Sequence, residues 1–114
     1  MPHEAQDSID ALVQALFHAD PARRQSAAKT LGRMGPDACE AAPALSKVLG
    51  DKEAEVRYAA AFALGLMGPS ARESARNLVD ALMDPAPPVR NAAARSLGQI
   101  GGEGSRTIPA LVHA

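Results

Sequence analysis

Apolar residues recur along this chain at helical spacing and, over a longer distance, every 33 residues. The segments LGRMGP, LGLMGP and LGQIGG begin at Leu31, Leu64 and Leu97, which share one position of that period. The same period relates further leucines, arginines and alanine pairs: Leu12, Leu45, Leu78 and Leu111; Leu16, Leu49 and Leu82; Arg24, Arg57 and Arg90; Ala27-Ala28, Ala60-Ala61 and Ala93-Ala94. Such a period predicts a solenoid of stacked helical units, because one unit alone is too small to bury its apolar face.

Each unit contains two stretches with the spacing of a helix. We expect the first helix at approximately 5–17, 39–49 and 72–83, with a fourth starting near Arg106, and the second helix at roughly 21–34, 54–67 and 87–100. Capping-box pairs, Asp37 with Glu40 and Ser70 with Glu73, mark the starts of first helices. Prolines suited to the first turn and glycines suited to a left-handed stop bound the second helices: Pro21, Pro87 and Pro88; Gly35, Gly68 and Gly101.

The predicted core follows one stripe of the second helix. Val56, Ala60, Leu64 and Met67 are spaced i, i+4, i+8 and i+11, which places them on one helix face. Leucines of the first helices join this core: Leu45, Leu49, Leu78 and Leu82.

Three glycines, Gly32, Gly65 and Gly98, lie inside the second-helix pattern. Glycine costs about 1 kcal/mol relative to alanine inside a helix. Their recurrence therefore predicts a steric requirement, namely close contact between the glycine backbone and a neighbouring helix. They are not a phosphate-binding loop, which would end in lysine and serine or threonine.

The pattern L-x-D-x-x-x-x-V-R-x-x-A-A-x-x-L-G-x-[IM]-G-P is carried, with small departures, by LGDKEAEVRYAAAFALGLMGP and LMDPAPPVRNAAARSLGQIGG. These units resemble the HEAT-like repeats found in phycobilisome lyase subunits and in many bacterial proteins. The resemblance implies an all-α fold, a right-handed α-solenoid (α-α superhelix) of about three and a half helical-hairpin repeats of 33 residues. We expect a single domain over residues 1–114, with repeats at approximately 5–37, 38–70 and 71–103 and a partial repeat at 104–114.

The first unit departs from the repeated pattern. Arg23 stands where Val56 and Val89 stand in the later units, and His18 stands where Asp51 and Asp84 stand. Polar replacements of this kind are typical of a terminal unit that faces solvent.

The resemblance also implies a structural role for Arg57 and Arg90, which follow Asp51 and Asp84 by six residues. As in similar repeats, we expect a ladder of arginine–aspartate pairs that ties each unit's turn to its own helix or to the next. A planar guanidinium suits such bidentate contacts. The alternative is a row of arginines that binds an anion.

A different stripe of the second helix varies between units. In the middle unit it carries Tyr58, Phe62 and Leu66, whereas the outer units carry polar and basic residues there: Gln25, Lys29 and Arg33; Asn91, Arg95 and Gln99. The resemblance implies that second helices line the inner, concave surface of the solenoid. We therefore expect a partner-binding site at Tyr58, Phe62 and Leu66. Its polar and basic surroundings are Lys29, Arg33, Arg95 and Gln99.

Two other interpretations of this stripe stay open. The aromatic residues could pack only against neighbouring second helices, or they could be buried in a homodimer. A contiguous exposed apolar patch usually marks an interaction site.

Composition narrows the classes of function. The formal net charge is −1, and the charges of both signs are interspersed, so we expect neither nucleic acid nor a membrane as partner. No apolar run approaches the roughly 20 residues of a membrane span. The N-terminus lacks the features of a signal peptide, and a cytoplasmic location follows as the default expectation. Cys39 is the single cysteine, and we interpret it as a small apolar residue near a helix start.

No pattern of catalytic or metal-binding residues is present in the sequence. A single His-Glu pair, His3-Glu4, argues against the iron-dependent hydroxylases of similar repeats, which use several such pairs. We expect no enzyme activity, no metal and no cofactor. The predicted function is a protein-interaction scaffold; the alternatives are an accessory chromophore-lyase-type subunit and a structural fragment of a larger repeat protein.

The segment TIPALVHA continues the register of a first helix, with Ile108, Leu111 and Val112 at core positions. It leaves the last complete unit with an edge that a longer array or a second chain would cover. We therefore expect self-association, through this edge or through the patch around Phe62.

Overall fold

The computed structural model describes residues 2–101, with side chains from Ser8 onward, and every regular element within that range is helical. The α-helices are α1 Pro2–Ala15, α2 Pro21–Met34, α3 Ala42–Val48, α4 Ala54–Met67, α5 Ala75–Ala81 and α6 Pro87–Ile100. Two 3₁₀ segments, Gly35–Ala41 and Gly68–Ser74, follow α2 and α4. The fourth first helix expected near Arg106 lies outside the described residues. No helix within residues 2–101 is both long and apolar enough to span a bilayer.

The second helices α2, α4 and α6 have the predicted bounds. Asp20 caps α2, because its carboxylate accepts a hydrogen bond from Ala22 N at 3.0 Å. Gly35 and Gly68 end α2 and α4 with φ of 63° and 62° and strongly negative ψ, a region that is essentially restricted to glycine. Gly101 differs from the expectation, since α6 ends there with φ of −71° and so needs no left-handed residue.

The first helices of the second and third units begin later than predicted. Residues 39–41 and 72–74 belong to the 3₁₀ segments, so α3 begins at Ala42 and α5 at Ala75. Each 3₁₀ segment contains a non-helical kink at a buried alanine, Ala38 or Ala71. The capping-box pairs lie within these segments, and neither α3 nor α5 has a side-chain cap hydrogen bond. Cys39, expected as an apolar filler, is exposed in the first 3₁₀ segment.

The helices form two layers. The second helices α2, α4 and α6 lie side by side, and the first helices α1, α3 and α5 pack against them in the same order. Between the layers lie leucines that are completely shielded from solvent: Leu16, Leu31, Leu45, Leu64 and Leu78. The stripe Val56, Ala60, Leu64 and Met67 is buried, as its spacing predicts. Apolar burial of this kind stabilises the stack by about 25 cal/mol per Å² removed from water.

Two of the three helical glycines lie at close helix contacts. A methyl group placed on Gly32 would lie 2.9 Å from Ala63 Cα, and one on Gly65 would lie 2.9 Å from Ser96 Cβ. Both distances are shorter than carbon atoms tolerate, so α2 and α4, and then α4 and α6, approach closely only because these residues are glycine. At Gly98 a methyl group would meet no described atom within 4 Å.

These contacts predict opposite effects for one substitution at two equivalent positions. Gly32→Ala should lower the free energy of unfolding, because its methyl group would collide with the backbone of α4. Gly98→Ala should raise it by about 1 kcal/mol, the difference in helix propensity. Urea denaturation followed by circular dichroism measures both; a stabilising Gly32→Ala would contradict the close contact.

Candidate functional site

One arginine connects each unit to the next: Arg24 joins the first unit to the second, and Arg57 joins the second to the third. Arg24 donates from Nε to Asp51 Oδ2 at 2.7 Å and from Nη2 to Asp51 Oδ1 at 3.1 Å. Arg57 makes the same two bonds to Asp84, at 2.7 and 3.1 Å. The partners are 27 residues apart, so each pair crosses between units. Arg57 Nη1 also donates to Asp51 O of its own unit at 2.8 Å, and one guanidinium therefore joins two successive turns.

The ladder differs from the expected set at its two ends. Arg24 forms a complete pair with Asp51, although it was not among the expected ladder residues. Arg90 donates to backbone oxygens of its own turn, to Asp84 O at 2.7 Å and to Pro85 O at 3.2 Å. Among the described residues, no carboxylate pairs with Arg90. The spacing of six residues identified these arginines, but it did not show that the aspartate partner comes from the following unit.

His18 occupies the aspartate position of the first turn and performs part of the same function. Its Nδ1 accepts a hydrogen bond from Asp20 N at 2.9 Å, just as Asp51 Oδ1 accepts one from Glu53 N at 2.9 Å. A histidine therefore preserves the turn, but it offers no carboxylate to an arginine.

The ladder carboxylates are nearly enclosed. The side chains of Asp51 and Asp84 are 10 % and 7 % exposed. Burial raises the pKa of both carboxyls, but hydrogen bonds from Arg24 and Arg57 and from backbone N–H groups outweigh it, so each pKa lies below its ordinary value. The hydrogen bond to Asp51 raises the pKa of Arg24.

The variable stripe of the middle unit is exposed on the side of the second-helix layer that faces away from the first helices. Tyr58, Phe62 and Leu66 are 37 %, 38 % and 39 % exposed, so neighbouring helices do not enclose them. The rings of Tyr58 and Phe62 are stacked, with centroids 6.1 Å apart and planes inclined by 29°. We call this surface of α2, α4 and α6 the second-helix face, and define it by Gln25, Lys29, Arg33, Tyr58, Phe62, Leu66, Asn91, Arg95 and Gln99.

A groove of about 330 Å³ runs between α2 and α4 beside this stripe. Tyr58, Phe62 and Leu66 line one side, and Lys29 and Arg33 line the other. Small residues complete the lining: Gly32, Ala59 and Ala63. The sequence predicts helix packing at Gly32, and the structure shows that this position also lines the groove.

A second hollow of about 320 Å³ lies at the N-terminal ends of α4 and α6. Tyr58 lines both hollows, which makes it the side chain shared between them. The lining includes Gln25, Glu55, Pro88 and Val89, none of which belongs to the binding site predicted from the sequence.

Charges on the second-helix face are mostly positive. Lys29, Arg33 and Arg95 are exposed there, and Arg95 lies on α6, away from the groove between α2 and α4. Glu55 is exposed at the N-terminal end of α4. An apolar centre with basic residues at its rim favours a partner that carries acidic groups beside apolar ones.

Comparison with known proteins identifies the class. The family model for HEAT repeats matches residues 3–65 and 42–114. The two matches overlap and together extend over nearly the whole chain, so this protein belongs to the HEAT repeat family. The narrower likeness to phycobilisome lyase subunits is not part of that match.

One solved structure that resembles this chain is the crystal structure of an engineered protein from a structural genomics consortium. The TM-score is 0.75 and the sequence identity 24 %, over 92 % of this chain. The chain spans half the length of that protein, since the match covers 50 % of it. At this identity the likeness shows a shared fold. No curated protein matches the sequence.

The lowered pKa values of Asp51 and Asp84 predict how stability responds to pH. Their folded pKa values lie below the unfolded value of about 3.9, so their stabilisation is complete near neutral pH and is lost as pH falls through the acid range. Asp51→Asn with Asp84→Asn should lower the free energy of unfolding at pH 7 by a few kcal/mol, roughly the effect of breaking a buried ion pair. Urea denaturation should show this difference narrowing towards pH 3.

The exposed Asp80 provides a matched control. Asp80→Asn should leave the free energy of unfolding almost unchanged across the same pH range. A deficit in the double variant that is independent of pH would show that the two pairs do not titrate with folding.

Proposed function

We propose that this protein is a non-catalytic scaffold that binds a protein partner through the second-helix face. The observation that carries the proposal is the exposed stripe Tyr58, Phe62 and Leu66 beside the groove between α2 and α4. Stacked aromatic residues supply a large apolar contact area at low entropic cost, and such residues dominate the binding energy of many interfaces. Membership of the HEAT repeat family supports this function, since HEAT repeats commonly serve as interaction scaffolds.

The partner's chemistry follows from the residues around the stripe. The positions of Tyr58, Phe62 and Leu66, four residues apart on one helix, form an apolar strip about 12 Å long. Lys29 and Arg33 border its groove. We infer a partner segment that inserts apolar side chains beside Phe62 and places carboxylates near these two cations. Glu55 would repel such carboxylates at one end, which would favour one orientation of the segment.

The finer architecture belongs to the same proposal. We infer a right-handed solenoid of about three and a half 33-residue units in one domain, with the second-helix face on its concave side. A cytoplasmic location accords with this role.

Affinity capture tests the proposal. The intact chain is immobilised beside Tyr58→Ser/Phe62→Ser and a control, Val79→Ser/Met83→Ser, which alters exposed residues near the end of α5. We expect a partner that is retained by the wild-type chain and the control but lost with the first variant, and then binds the purified chain directly. Equal retention by all three proteins would contradict the assigned face.

The unfolding free energy of the same variant distinguishes an interface from a core. Because Tyr58 and Phe62 are more than one-third exposed, their replacement should cost well below the roughly 3–5 kcal/mol typical of a buried aromatic side chain. A loss of that full size in urea denaturation would instead make the two rings part of the core.

Self-association through the patch is a separate expected outcome. Sedimentation equilibrium of the wild-type chain at high micromolar concentration should show a dimer, and Tyr58→Ser/Phe62→Ser should reduce it. A wild-type chain that stays monomeric would leave a different protein as the partner.

A further inference from the structure

The outer edge of α6 carries the residues that join successive units, but the described structure places no following unit against them. We define this edge by Arg90, Ala94, Leu97 and Gly98. Their counterparts in the earlier units are covered: Ala28 and Ala61 are fully buried, and so are Leu31 and Leu64, whereas Ala94 is exposed and Leu97 half-buried. Gly32 and Gly65 are buried against the next second helix, and Gly98 is exposed.

Arg90 is held in the same way as the ladder arginines. Its Nη1 donates to Asp84 O at 2.7 Å, as Arg24 Nη1 donates to His18 O at 2.8 Å. In Arg24 and Arg57 this anchoring directs Nε and Nη2 towards the aspartate of the following unit. In Arg90 the corresponding nitrogens have no carboxylate partner among the described residues.

The opposite edge of the stack, on α2, is built differently. Polar residues replace those that contact the preceding unit at the interior positions, namely His18, Ser26, Thr30 and Arg33 in place of Asp51, Ala59, Ala63 and Leu66. Ser26 and Arg33 are exposed, whereas Ala59 and Ala63 are buried. The α2 edge therefore has the polar character of a capping unit, and the α6 edge keeps the character of an interior one.

We infer that the α6 edge is a docking site for a HEAT-type helical unit of another polypeptide. An aspartate in the turn of that unit would accept hydrogen bonds from Nε and Nη2 of Arg90. Its second helix would lie across Gly98 with a small residue at the point of closest approach, as Ala63 lies across Gly32. This site is separate from the second-helix face and does not depend on the function proposed for it.

The interfaces already present in the fold specify this occupant. The α6 edge continues the α2–α4 and α4–α6 interfaces, each of which contains one arginine–aspartate pair and one close glycine contact. A second copy of this chain does not meet the requirement. Its His18 lacks a carboxylate, and its Arg33 would take the place that Leu66 has against Gly32.

A modified copy of the full chain provides the probe. His18→Asp, Ser26→Ala, Thr30→Ala and Arg33→Leu give its α2 edge the residues of α4, while Arg90→Ala and Gly98→Leu close its own α6 edge. We expect this probe to form a 1:1 complex with the wild-type chain in sedimentation velocity and calorimetry. Arg90→Ala or Gly98→Leu in the wild-type partner should weaken the complex at least about tenfold, because each removes an element of the site.

Controls separate the site from general adhesion. Met83→Ser in the wild-type partner should leave the affinity unchanged, and high salt should weaken the complex because it screens the Arg90 contact. Circular dichroism establishes that the probe is folded; if the full set of changes prevents folding, a probe with only His18→Asp and Arg33→Leu at its α2 edge replaces it.

Two results would overturn the inference. One is a folded probe that does not bind the wild-type chain, which would mean that the α6 edge does not accept a helical unit. The other is binding that persists undiminished after both Arg90→Ala and Gly98→Leu.

Discussion

The guanidinium of Arg57 makes the contacts on which the stacking of the middle and third units depends. It binds the backbone of its own turn and the carboxylate of the following turn at once, in surroundings that exclude most water. An unpaired charge at such a place is costly, so the two turns are held at a fixed register. Arg24 repeats the arrangement one unit earlier, and the same geometry is therefore transmitted along the stack.

Register alone does not set the distance between neighbouring helices. Gly32 and Gly65 set it, because their missing side chains let the next second helix pass within contact of the backbone. The loss of helix propensity at each glycine is offset by closer packing along the whole helix pair. Close parallel helices bring the side chains of adjacent units onto one surface, and the groove beside Phe62 is a direct result.

The arginine–aspartate pairs and the glycines constrain only some positions of each unit, which explains why one stripe of the second helix can vary while the other positions repeat. Positions that face the core or the ladder are constrained by burial and by charge pairing, and a change there disturbs two units. Positions such as Lys29, Phe62 and Arg95 are exposed on the second-helix face, so they can differ between units without disturbing the core. The two ends of the stack follow the same logic, because the α2 edge has polar replacements and the α6 edge retains Arg90 and Gly98.

The sequence by itself determined the helical units, because the 33-residue period and the helical spacing are both local patterns. It placed the second helices within their actual bounds and identified Tyr58, Phe62 and Leu66 as one stripe. It misplaced the starts of α3 and α5, where the local capping residues lie in 3₁₀ segments and the chain has kinks at the buried residues Ala38 and Ala71. Only the tertiary structure decided that Arg24 pairs with Asp51, that Gly32 forms part of a groove, and that the aromatic stripe is exposed, since each depends on residues from a different unit.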